Sequence, residues 1–133
     1  MEAYNVGTNA PIKLKIAIET EAIPMSYAFL YHTIDDKEFF SSIPPFDPTQ
    51  KTGWKQLDGG NPVNGTILRV LTFLRFFNDF PDEKTFKLAI KQVEDTYEPS
   101  INGGDDGPYT IPFKLKAFYE NKSCVLESGI KLI

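Results

Sequence analysis

Apolar and polar residues alternate one for one in two stretches of the chain, and that period constrains the fold more than any other feature. In PIKLKIAIE, 11–19, Ile12, Leu14, Ile16 and Ile18 fall on one side and Lys13, Lys15, Ala17 and Glu19 on the other. In YTIPFKLKAFYE, 109–120, Tyr109, Ile111, Phe113, Leu115, Ala117 and Tyr119 alternate against a side that carries Lys114 and Lys116. A period of two sends successive side chains to opposite faces of an extended chain, so both stretches read as half-buried β-strands. The second turns at Asn121–Lys122 into SCVLESGIKLI, the clearest hairpin in the sequence.

The other segments are read against this pattern. SYAFLYHTI, 26–34, carries aromatic and β-branched residues on both faces, as expected of a strand covered on both sides. TILRVLTFLRFF, 66–77, fits either period, and its Thr, Ile, Val and Phe content behind Asn64-Gly65 favours a strand. PDEKTFKLAIKQVEDTY, 81–97, has the same ambiguity. Pro81, Asp82 and Glu83 would start a helix whose inner face holds Phe86, Ile90, Val93 and Tyr97. Phe86, Leu88 and Ile90 also alternate against Lys87, Ala89 and Lys91, and the strand reading is preferred. Between these segments, 41–65 is rich in proline and glycine and reads as a long excursion, with one short edge strand around Trp54 to Leu57. The expected fold is all-β, a single-domain antiparallel β-sandwich over 1–133, immunoglobulin-like or related. The alternative is an α+β domain with helices near 66–77 and 82–97.

Composition limits the function classes. A 133-residue chain with 41% hydrophobic residues can bury a core of its own without a covalent or metal staple. Its net charge of −4 and its two arginines, Arg69 and Arg75, argue against nucleic acid as a partner, because phosphate recognition draws on lysine and arginine. One cysteine, Cys124, allows no internal disulfide, and no Cys/His cluster offers a zinc site. No stretch reaches the roughly 18 apolar residues of a membrane span, and the N-terminus has no signal-peptide pattern, so a cytoplasmic location without a membrane span is expected.

Several residues invite a chemical reading. NGGDDGP, 102–108, is too acidic for a phosphate cradle and is followed by a strand instead of a helix. Asp105 and Asp106 offer hard oxygen ligands for calcium, joined by Asp47 or Asp58 if loops converge. The regular spacing of a calcium loop is absent, and a turn is the simpler reading. His32 near Asp35 and Asp36 lacks a nucleophile in a recognisable elbow, and on a strand His32 and Asp35 face opposite ways. No catalytic residue, enzymatic activity or cofactor is expected, with calcium the one candidate ion. Cys124 reads as a small core residue.

Two features carry more weight. Lysines occupy outward positions of the expected strands, at 13, 15, 87, 91, 114, 116 and 131, while aspartates gather in the connections. This gives basic faces and acidic ends, suited to keeping strands soluble or to aligning the domain on copies of itself or an acidic partner. Phe46, Trp54, Phe77 and Phe80 sit on or beside loops, where aromatic side chains serve as binding anchors or fold back as a cap. The expected function is a non-enzymatic module acting through a protein partner or self-association, as a structural or adaptor subunit of a larger assembly. The alternative is a carbohydrate- or calcium-binding module that uses the Trp54 loop and the acidic connections.

Overall fold

The computed structural model describes residues 2–7, 11–32, 53–57 and 63–133, with the backbone of 38–41. Two β-sheets enclose one core. The first is built on three long strands, β3 (Ile23–His32), β6 (Thr66–Arg75) and β10 (Ser123–Leu132), paired antiparallel in the order β10-β6-β3. Strand β4 (Glu38–Ser41) extends the β3 edge. On the other side, β10 pairs with β9 (Phe113–Tyr119) over its first half and with β1 (Ala3–Tyr4) at its end. The second sheet runs β5 (Lys55–Gln56), β2 (Lys13–Ala17), β7 (Glu98–Asn102), β8 (Tyr109–Thr110). All pairs among the described residues are antiparallel except β1 with β10.

The expected all-β sandwich is what the chain forms, and the alternation explains its two-layer build. Leu14 and Ile16 on β2 and Ile101 on β7 meet Leu30 on β3, Leu68 and Val70 on β6, and Leu126 and Ile130 on β10 in one cluster. The ambiguous 66–75 segment is a strand whose even-numbered side chains are all buried and whose odd-numbered ones are not. The 109–120 stretch serves both sheets. β8 pairs with β7, β9 pairs with β10, and the chain crosses at Ile111 and Pro112 with Ile111 buried. Proline has no amide hydrogen for a ladder, which suits Pro112 to the crossing.

The expectation of a strand over 81–97 is wrong: Glu83–Glu94 is an α-helix, α1. Asp82 caps it by accepting a hydrogen bond from the Thr85 amide at 2.7 Å. Glu83 and Lys87 pair across one turn at 3.0 Å, and Phe86, Ile90 and Val93 form the buried stripe. Leu88, which a strand would have put beside Phe86, is 59% exposed. Local capping and the i, i+4, i+7 spacing therefore outweigh a short run of alternation. Lys87 and Lys91 belong to this helix and not to a sheet face.

Candidate functional site

Among the described residues, the outer face of the first sheet gathers exposed apolar side chains. The alternation that sends Ser26, Ala28 and Leu30 inward turns Ile23, Met25, Tyr27, Phe29 and Tyr31 outward on β3. On β6 the outward set is Ile67, Arg69, Leu71, Phe73 and Arg75. The register lines these up in rows across the sheet. Ile23, Arg75, Ser123 and Tyr119 form the first row, and Met25, Phe73, Val125 and Ala117 the second. Tyr27, Leu71, Glu127 and Lys114 form the third, followed by Phe29 with Arg69 and Tyr31 with Ile67.

Aromatic contacts hold the middle of this face in place. Tyr27 and Phe29 stack at 6.3 Å between ring centroids, Phe29 and Tyr31 lie at 6.2 Å, and Phe73 meets Tyr27 edge-on at 5.8 Å. Most of the first two rows is open to solvent, with Ile23 49%, Met25 42%, Phe73 41% and Tyr119 58% exposed, while Val125 in the second row is buried. Both arginines of the chain stand here. The Arg69 guanidinium lies over the Tyr31 ring at 5.6 Å and 4.0 Å from Glu127, which Lys116 also approaches at 3.3 Å. Arg75 is exposed between Ile23 and Ser123, and no carboxylate among the described residues reaches it.

The outer face of the second sheet is polar. A shallow cleft of about 210 Å³ on it is lined by Lys15, Trp54, Glu98, Ser100, Tyr109 and Thr110, with the Lys15 amine 6.0 Å from the Trp54 ring centre. Trp54, one of the aromatic residues singled out from the sequence, is 37% exposed there.

The other candidates occupy separate places. Phe80 is half-buried in an aromatic cluster with Phe76, at 5.0 Å, and Phe86, at 5.4 Å, and Phe118 meets Phe86 from β9 at 5.9 Å. Phe77 points away from that cluster and is 68% exposed. Phe46, Asp47, Asp58, Asp35 and Asp36 lie outside the described residues. His32 ends β3 and is exposed.

NGGDDGP turns out to clasp the N-terminal strand. The Tyr4 hydroxyl donates to the Gly107 carbonyl at 2.5 Å and accepts from the Gly104 amide at 3.1 Å. Asp106 accepts from the Asn5 backbone amide at 2.8 Å and from its side-chain amide, while the Asp105 amide donates to the Asn5 carbonyl at 2.9 Å. Burial raises the Tyr4 pKa; the Gly104 amide opposes this, and Asp106 and Asp105 add to it. Among the described residues no three His, Cys, Asp or Glu side chains gather as a metal site. Cys124 is buried, and burial, helped by the Glu94 carboxylate, pushes its thiol up to about 12.

No helix among the described residues is long and apolar enough to cross a membrane. No protein-family model, curated protein or solved structure matches the chain. Met25, Tyr27, Phe29, Tyr31 and Phe73 belong to this face without standing out in the sequence. For Tyr27, Phe29 and Tyr31 the signal is the double-sided apolar content of 26–34, which a strand covered on both sides would show equally; Met25 and Phe73 lie outside that stretch. Among the described residues, one side of β3 faces the core and the other lines the surface.

Proposed function

We propose that the protein is a non-enzymatic β-sandwich module that acts through protein–protein contacts, as a structural or adaptor subunit of a larger assembly, and that it docks through the outer face of its first sheet. The observation that carries this reading is the composition of that face. Exposed Ile, Met, Phe and Tyr are contiguous there and share it with both arginines. Contiguous exposed apolar surface marks interaction sites on soluble proteins, and aromatic residues, Met and Arg are the types enriched where partners bury surface. The core side chains supply stability from the opposite side of the same strands, so the outer face is free to be shaped by a partner.

The test is a paired substitution, Met25→Glu with Phe73→Glu, in a tagged chain used to recover partners from its native source. Both side chains are partly exposed, so circular dichroism and thermal unfolding are expected to stay close to wild type while a stoichiometric partner is lost. Recovery of the same partner at the same yield by the folded variant would refute the proposal.

A second reading follows from the cleft on the second sheet. Trp54 provides a flat apolar surface, and Lys15, Glu98, Ser100 and Thr110 provide hydrogen-bonding groups beside it, a combination suited to a sugar ring with its apolar face and rim of hydroxyls. Titration of the Trp54 fluorescence with neutral oligosaccharides tests it. A saturable change that disappears in Lys15→Ala supports this reading, and an unchanged spectrum removes it.

A further inference from the structure

The docking face carries a specific charge pattern, and from it we infer the chemistry of its partner: an apolar protein segment that bears a carboxylate, seated on Arg75 with its apolar neighbours on Ile23, Met25, Phe73 and Tyr119. This inference rests on the protein-contact reading of the face.

The two arginines differ in what surrounds them. Arg69 has Glu127 and the Tyr31 ring as partners. Arg75 stands in the row formed by Ile23, Ser123 and Tyr119, beside the row that holds Met25 and Phe73, without a carboxylate partner among the described residues. A partner that covered this patch with apolar groups alone would bury a guanidinium with no counter-charge, which is strongly unfavourable. A carboxylate placed there accepts the guanidinium's parallel N–H donors and converts the same burial into a charge-assisted pair.

The wider face agrees in sign. Among the residues whose side chains are described, Arg69, Arg75, Lys114, Lys116 and Lys131 stand on it or at its edge against Glu127, while the register places Glu38 of β4 opposite Tyr31 at the far edge from Arg75, in a chain whose net charge is −4. Two copies set face to face would bring these cations against each other, so like-with-like self-pairing is disfavoured and an acidic partner is favoured. A nucleic acid requires a track of available cations along its phosphates. Here Arg69 and Lys116 both approach Glu127, and the most open positions are the aliphatic Ile23 and Met25 as well as aromatic.

The experiment is selection of short random peptides displayed on phage against the whole protein, followed by binding of the selected peptides to wild type, Arg75→Glu, Arg75→Gln and the Met25→Glu, Phe73→Glu variant. The expected selection is one Asp or Glu flanked by aromatic or long aliphatic residues. Binding is expected to weaken with salt and to fall at least about tenfold in Arg75→Glu. It should return in part when the peptide's acid is exchanged for lysine. Arg75→Gln, which adds no charge, guards against a folding defect in the reversed variant. Selected peptides without an acid, or with affinity indifferent to both Arg75 variants, would overturn the inference. If such peptides still lost binding in the Met25, Phe73 variant, the docking face would stand and only its acidic partner would fall. Indifference to every variant, failure to select any peptide, or displacement of the peptides by oligothymidylate would also overturn the inference.

Discussion

Replacing Thr72 with valine tests how the two sheets are joined. Thr72 lies on β6, and its hydroxyl is 2.8 Å from that of Ser26 on β3 and 2.6 Å from that of Tyr97, which leads into β7 of the other sheet. Ser26 and Thr72 are fully buried and Tyr97 is 4% exposed. The Ser128 hydroxyl lies beside them outside regular hydrogen-bond geometry. Valine keeps the shape of threonine but removes the oxygen, so the Ser26 and Tyr97 hydroxyls lose their partner where water does not replace it. An orphaned buried hydroxyl costs roughly 1–3 kcal/mol, which puts Thr72→Val at about 3 kcal/mol in total. Ser26→Ala removes only the end of the chain and leaves the Thr72–Tyr97 bond, at about 1 kcal/mol. For a chain of this size the larger figure corresponds to a fall in Tm of roughly 10 °C. Urea unfolding of the three proteins with a common slope gives the comparison. If Thr72→Val costs no more than Ser26→Ala, the hydroxyl of Thr72 does not bridge the sheets and the reasoning fails.

Three further outcomes are expected. Asp82→Ala removes the helix cap and lowers Tm by a few degrees. Hydrogen bonding to Thr85 holds the Asp82 pKa below its ordinary value of 3.8, so the cap's contribution is present above that pH and lost below it; a Tm gap between wild type and variant that does not close under acid would contradict this. Gly103→Ala is expected to destabilise by about 3 kcal/mol, because Gly103 has φ +99° and an added Cβ would run into the Pro11 carbonyl; an unchanged unfolding midpoint would show that the turn after β7 does not pack tightly on the segment entering β2. The Cys124 thiol, ordinarily near 9.0 and about 12 here, stays protonated in the folded state while the unfolded thiol ionises. Its contribution is therefore full below pH 9.0 and falls as pH rises towards 12, by about 1.4 kcal/mol at pH 10. Cys124→Ala should flatten that alkaline loss, and an identical pH profile in the variant would refute it.

Strand positions were legible wherever one face is buried and the other is wet, because alternation reports that contrast directly; 11–19 is the clear case. In 109–120, by contrast, a bulge against Val125 and Leu126 shifts the register, so that Phe118 packs on the core and Tyr119, which the alternation put with Phe113 and Leu115, is 58% exposed. Alternation failed at 81–97, where Leu88 happened to continue the alternation of Phe86 and Ile90 although Asp82 and Glu83 marked a helix start. It also failed to separate the core side of β3 from its outer side, since both are apolar. A sequence records that Met25, Tyr27 and Phe29 are hydrophobic but not whether a second layer covers them. The clasp of Tyr4 and Asn5 by Gly104, Asp106 and Gly107 was invisible for another reason. It joins positions about a hundred residues apart, and neither end carries a pattern that names the other. Trp54 and Phe80 illustrate the same limit within one residue type. Both are aromatic and near loops, yet one lies on the polar outer face and the other packs against α1.

Site-specific photo-crosslinking decides whether the outer face of the first sheet meets a protein partner. A benzophenone side chain is placed at position 73 on that face, or at position 15 on the outer face of the second sheet, in the full chain within its native cells. A discrete adduct is expected from position 73 and none from position 15, and the position 73 adduct is expected to disappear when Met25→Glu is added. An adduct from position 15 alone, or no adduct from position 73 in a chain that folds normally, would contradict docking through this face.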